Sequence, residues 1–174
     1  MSDAPDLSFL SKDEIKEALQ PVRHPVSIAI YGSTNYFNGA AIIRSAHSFL
    51  VKEIIMVDVP LFYRKATMGT HKWENITHVT TEEFLSQYSD RSVIAMERRS
   101  DLDSKNLLFY SYPKNPILCF GSEKQGLPDS ILNMAQDIVS IPQYGLVNSM
   151  NLANAASIVL YDWISKYHNV NNES

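Results

Sequence analysis

The 174-residue chain reads as a single α/β domain: a mainly parallel sheet with helices on both faces. Three observations carry that expectation. Short β-branched apolar runs alternate with stretches of helical period. The composition, 45% hydrophobic and 20% charged, is that of a folding chain rather than a disordered one. The length suits one ordinary domain and is short for two.

Taken in order, Ser11 followed by Glu14 fits a capping box, so a short leading helix is predicted over about residues 11–20. "HPVSIAIYG" (24–32) is a β-branched run closed by Gly32, as expected of a strand covered on both faces. The period then changes, and Ile42, Ala46 and Phe49 recur at helical spacing. The alternation repeats: strand at 52–59, helix at 80–88 capped by Thr80 or Thr81, strands at 92–96 and 116–121. A helix at 127–135 with Pro128 in its first turn, a strand at 137–142 and a long helix from about 148 to 167 follow. Five or six strands are expected in all, with a polar tail at 168–174 that frays.

Charge and cysteine content narrow the function classes. The formal net charge is −4, so a nucleic-acid partner has to meet a local basic patch rather than an attractive overall field. The one cysteine, Cys119, allows neither an intrachain disulfide nor a multi-thiolate metal site. The five histidines occur singly, without the paired spacings of zinc sites, so no metal is expected. No basic flank precedes an apolar run at the N-terminus, and no eighteen uncharged apolar residues follow one another. Secretion and membrane insertion are not expected, and a reducing, cytoplasmic setting is.

Open parallel sheets bind ligands at the carboxyl ends of their strands, which directs attention to three segments. In "NYFNGAAIIRSA" (35–46), Asn38 and Gly39 stand at the mouth of a helix, and Arg44 lies off its buried face. A solvated surface arginine is the plain alternative. In "LCFGSEKQGLPDSIL" (118–132), a strand runs into Gly121, Ser122, Glu123 and Gly126, where backbone can approach a nucleotide-like ligand. A strand–helix turn that merely needs glycine explains the same residues. In "IPQYGLVNSMNLANAASIVLYDW" (141–163), Asn148, Ser149 and Asn151 precede a helix with Leu152, Ala156, Val159, Trp163 and Tyr167 on one face. N-capping accounts for one of those polar residues, not for three. The loop "PLFYRKATMGTHKWEN" (60–75) interleaves Arg64, Lys65, His71 and Lys72 with Phe62, Tyr63 and Trp73. That mixture suits phosphates and stacked bases, or a loop that packs its aromatics inward.

Together and in this order, "NGAAIIRSA", "LCFGSEKQGLP" and "IPQYGLVNSMNLANAASIVLYDW" resemble the three motifs of the SpoU branch of the SPOUT RNA 2′-O-ribose methyltransferases, over about residues 26–167. The likeness implies a C-terminal deep trefoil knot, a feature that folds otherwise avoid. It implies S-adenosyl-L-methionine as cofactor, held by Met96, Gly121, Glu123, Gly126, Ile141, Ser149 and Met150. Arg44 matches the catalytic arginine, with Asn38, Glu123, Ser149 and Asn151 as its polar companions. Met150 departs from the leucine usual in the third motif, a volume-conserving change. A homodimer through the final helix is implied, and the wide apolar face around Trp163 agrees with it. RNA contact falls to Arg23, Arg44, Arg64, Lys65, Lys72, Arg98 and Arg99, since the chain has almost nothing beyond the core.

The function expected is methyl transfer to a ribose 2′-hydroxyl of RNA, tRNA favoured over rRNA. An arginine is a poor base because its pKa exceeds ~12, so Arg44 is expected to clamp phosphate and assist electrostatically. Two rivals stay open: a non-catalytic RNA- or cofactor-binding module of the same fold, and an α/β enzyme using another nucleotide.

Overall fold

The structure is a computed structural model that describes residues 7, 9–146 and 149–172. The chain runs α1 (Lys12–Leu19), β1 (His24–Tyr31), α2 (Tyr36–Ser48), β2 (Val51–Val57), β3 (Ile76–Val79), α3 (Thr81–Gln87), β4 (Val93–Met96), β5 (Lys105–Asn106), β6 (Ile117–Phe120), α4 (Asp129–Met134), β7 (Asp137–Ser140) and α5 (Leu152–Asn172). Seven strands form one sheet in the order β3-β2-β1-β6-β4-β7-β5. Every pairing is parallel.

The helix starts follow local chemistry. Ser11 and Thr80 each cap a helix while Glu14 and Glu83 reach back to the cap N–H, closing two capping boxes. Thr80, rather than Thr81, is therefore the cap of α3. Pro128 is the N-cap residue of α4 and stands just before its first turn, not within it.

Alternation along the strands divides the core in two. Ile28 and Ile30 of β1 face α2 and α5, joining Ile42, Ile43, Ala156 and Val159. Ala29 and Ile55 face the opposite way, toward Phe84 of α3 and Ile131 of α4. Helices therefore cover both faces, as a buried parallel sheet requires.

Three expectations change. The sheet has seven strands instead of five or six: β3 was hidden because Thr77 and His78 are exposed on an edge, and β5 is two residues long. The last helix extends to Asn172, beyond the end expected at about 167. The face of α5 around Trp163 is buried inside its own domain, with Trp163 only 4% exposed. Among the described residues of α5, Ile158 and Tyr161 are the large apolar side chains left exposed.

Candidate functional site

β4, β6 and β7 are neighbours, and their carboxyl ends open into one cleft with a cavity of about 190 Å³. Met96 closes β4 and is 9% exposed. The loop after β6 supplies Gly121, Glu123 and Gly126, and the segment after β7 supplies Ile141, Ser149 and Met150. All seven residues expected to hold a cofactor therefore line one cavity. Phe120, Val139 and Leu152 add apolar wall, while Glu97, Lys124 and Gln143 add polar rim.

The two loop glycines have a steric reason. A Cβ on Gly121 would stand 2.2 Å from the carbonyl carbon of Gly126, because Ser122 and Gly126 pair antiparallel across a tight turn. Gly126 has φ +67°, and a Cβ there would lie 2.4 Å from Oε2 of Glu97. Glu97 itself accepts N–H groups of Arg98 at 2.9 Å and Leu127 at 2.8 Å. One carboxylate thus ties the end of β4 to the loop after β6.

A chain of side-chain hydrogen bonds joins the three sequence segments. Asn151 Nδ2 donates to Asn38 Oδ1 at 3.0 Å. Asn38 Nδ2 donates to Glu123 Oε1. Ser33 Oγ donates to the same carboxylate at 3.1 Å. Asn38 is 7% exposed, so its amide has both ends satisfied where water is scarce. Asn151 also caps α5, accepting from Ala153 N at 2.9 Å. The cap and the link to Asn38 are made by one residue. Asn148 lies outside the described residues.

Arg44 is exposed and lies six residues beyond Asn38 on α2, about 9 Å along the axis at 1.5 Å per residue. Its guanidinium is outside the Asn38–Glu123 network. Of the other arginines and lysines expected to meet RNA, Arg64, Lys65 and Lys72 are exposed, and Arg98 lines the cavity.

Two of that set are corrected. Arg23 is a buried structural group: its side chain is 3% exposed and bonds Glu74 at 2.7 Å, Val51 O at 2.7 Å and Trp73 O at 2.6 Å. Reaching a phosphate would cost it these three contacts and leave the buried Glu74 with His47 alone. Arg99 pairs with Asp101 at 2.8 Å and Asp129 at 3.5 Å on the surface, so it can meet RNA only in competition with two carboxylates. Those partners also raise its pKa further, hydrogen bonding to Asp101 foremost.

Sequence reasoning missed Ser33 and Glu97. Both lie just past the end of a core strand, Ser33 two residues after β1 and Glu97 one residue after β4. The same strand-end rule that drew attention to Gly121 applies to them. Cys119 is inert core, since complete burial pushes its thiol up to about 12. Among the described residues no three His, Cys, Asp or Glu side chains group as metal ligands.

Residues 25–161 match the SpoU rRNA Methylase family from end to end of this site. The chain belongs to that family. The tRNA (guanosine(18)-2′-O)-methyltransferase of Thermus thermophilus is 26% identical over 153 residues, 85% of this chain and 78% of that protein. The crystal structure of the Aquifex aeolicus TrmH/SpoU tRNA modifying enzyme superposes with a TM-score of 0.79 at 23% identity, covering 92% of this chain and 84% of that one. An AdoMet-bound rRNA methyltransferase from Sinorhizobium meliloti gives 0.72 at 26% identity, over 85% of this chain and 58% of that one. Family and fold thus agree with the three segments that meet in the cleft.

Proposed function

We propose that this chain is an S-adenosylmethionine-dependent RNA 2′-O-methyltransferase acting on a ribose of tRNA. The observation that carries it is the hydrogen-bonded chain Asn151–Asn38–Glu123, which joins three segments of a SpoU-family protein beside a cavity at the strand ends. Similarity to the Thermus tRNA (guanosine(18)-2′-O)-methyltransferase favours tRNA. The chemistry also fits a 2′-hydroxyl, which attacks a sulfonium methyl only when it is positioned and deprotonated during the transfer.

The lining suits the cofactor. Phe120, Val139, Ile141, Met150 and Leu152 offer apolar contact to a purine, and the Gly121–Gly126 turn offers backbone groups with no side chain between. The cavity of about 190 Å³ is below the ~300 Å³ typical at the small end for ligand sites. The cofactor supplies an electrophilic methyl group on a positive sulfonium.

This chain's own residues do the rest. Glu123, oriented by Asn38 and Ser33, keeps negative charge at the cavity rim, where it favours a cationic ligand. Arg44, which pairs with no carboxylate among the described residues, holds the phosphate beside the target ribose and stabilises the negative charge that develops on the 2′-oxygen as it takes the methyl group and releases its proton to water. Arg64, Lys65 and Lys72, all exposed, extend that contact along the RNA backbone, and Arg98 lines the cavity. Ser149 lines the pocket wall close to Asn151 in sequence.

Two further features belong to the same reading. The order β1-β6-β4-β7-β5 inserts late strands between earlier ones, which supports a C-terminal trefoil knot. Ile158 and Tyr161 leave an apolar stripe on α5, which supports a homodimer through that helix. No helix among the described residues is long and apolar enough to cross a membrane.

Incubation with methyl-labelled cofactor and bulk unmodified tRNA tests the reading; label should appear in ribose, and an absence of transfer to any tRNA or rRNA overturns it. Arg44→Ala should lower kcat about 10²- to 10³-fold, the scale of losing one preorganised electrostatic contact. Binding of S-adenosylhomocysteine should persist. Unchanged turnover would remove Arg44 from the chemistry.

A further inference from the structure

The first turn of α2 carries an aromatic cluster that the core does not use. Phe37 is 64% exposed, Tyr36 47% and Tyr63 43%. The rings of Phe37 and Tyr63 stand 4.9 Å apart at 51°. Scattered apolar residues on a surface need no explanation, but a contiguous exposed group does.

The cluster is also held rigidly. Tyr63 N donates to Tyr36 O at 3.1 Å. A Cβ added at Gly39 would meet Phe62 Cβ at 3.3 Å, so the 60s loop lies directly on the helix. Asn35 caps the helix by accepting from Phe37 N at 3.1 Å. The next residue, Asn38, belongs to the network of the site. Arg64 and Lys65, both exposed, follow Tyr63 directly and bring positive charge to a chain whose net charge is −4.

We infer that Phe37 and Tyr63 form a stacking platform for an unpaired base of the substrate RNA, next to the nucleotide whose ribose enters the site, with Arg64 and Lys65 on the adjoining phosphates. The inference rests on the RNA-methyltransferase reading and adds a recognition element to it. Single-stranded RNA is bound by aromatic faces flanked by cations, because every base has a stacking face and every nucleotide a phosphate. A rigid platform gives that contact at low entropic cost. It explains why aromatic side chains are left in water beside Asn38, and why basic residues follow them.

The test compares wild type with Phe37→Leu, Tyr63→Leu and Phe37→Trp. Three measurements are made: binding of bulk tRNA by anisotropy, binding of S-adenosylhomocysteine by calorimetry, and sedimentation. Leucine keeps apolar bulk and loses the ring, so each leucine variant should bind tRNA about tenfold more weakly, within the range for losing one base–aromatic stack. Cofactor-product binding and oligomeric state should not change. Phe37→Trp should retain wild-type affinity, and its indole emission should be quenched on adding tRNA. Wild-type tRNA affinity in both leucine variants overturns the platform, as does a shift in oligomeric state, which would make the pair a contact with a second copy. A wild-type protein that binds neither tRNA nor S-adenosylhomocysteine overturns the underlying function instead.

Discussion

Glu97 and Gly121 determine the cleft at the scale of single residues. The Glu97 carboxylate accepts two backbone N–H groups and lies against Gly126, so it fixes the loop after β6 to the end of β4. A hydrogen bond to a charged group contributes ~1.5 kcal/mol or more, and ~1.4 kcal/mol is a tenfold change in affinity. Glu97→Ala should therefore weaken S-adenosylhomocysteine binding about tenfold by calorimetry, with kcat at saturating cofactor nearly unchanged. Gly121→Ala should do worse, since its Cβ would overlap backbone and force the Ser122–Gly126 pairing apart. Loss of measurable S-adenosylhomocysteine binding is expected. Glycine, glutamate and asparagine were all visible in the sequence as residue types. Which of them touch was not, because Asn38 and Glu123 meet across 85 positions and Asn151 and Asn38 across 113.

Between elements, the decisive contact is the buried cluster of Arg23, Glu74 and His47. Glu74 has no exposed side-chain surface; it bonds Arg23 at 2.7 Å and His47 Nδ1 at 2.8 Å. It thereby fastens the start of β1, the end of the 60s loop and the last turn of α2, the helix that carries Asn38 and Arg44. Breaking a buried pair leaves a charge with no partner, which costs about 3–5 kcal/mol. Glu74→Ala should lower unfolding stability by that amount in a urea titration, whereas Lys72→Ala, on an exposed side chain nearby, should change it by less than about 0.5 kcal/mol. Helix caps and helical periods were legible locally: Ser11 with Glu14 and Thr80 with Glu83 behave as their spacing says. The edge strands β3 and β5 were not, because an exposed or two-residue strand buries too little to leave an alternating pattern.

Across the whole molecule, burial gives stability a pH dependence. The Cys119 thiol is completely buried and is pushed from an ordinary 9.0 up to about 12. Burial likewise raises Tyr110 and Tyr112, each also facing an aspartate. In the unfolded chain these groups ionise at their ordinary values, so above about pH 9 the unfolded state binds fewer protons than the folded one. Stability is then lost as pH rises, by at most ~1.4 kcal/mol per pH unit for each such group. The thiol's contribution is present in full below its ordinary 9.0 and disappears toward about 12. Urea titrations between pH 8 and 11 should show the decline, and Cys119→Ala should make it shallower. Cys119 should also resist alkylation at pH 8 until the chain is denatured.

The sequence by itself determined the alternation of strands and helices, the capping boxes and the three segments that mark the SpoU family. Those are properties of neighbouring residues, set by period, propensity and steric demand along a short stretch. Only the tertiary structure decided which charges are available and which faces are spent. It buried Arg23 on Glu74, paired Arg99 with two aspartates, turned Trp163 into core and left Phe37 and Tyr63 in water beside Asn38. The reason is physical: a charge is paired, and an apolar side chain covered, by whatever the fold brings close, and in Arg23–Glu74 that partner is 51 residues away.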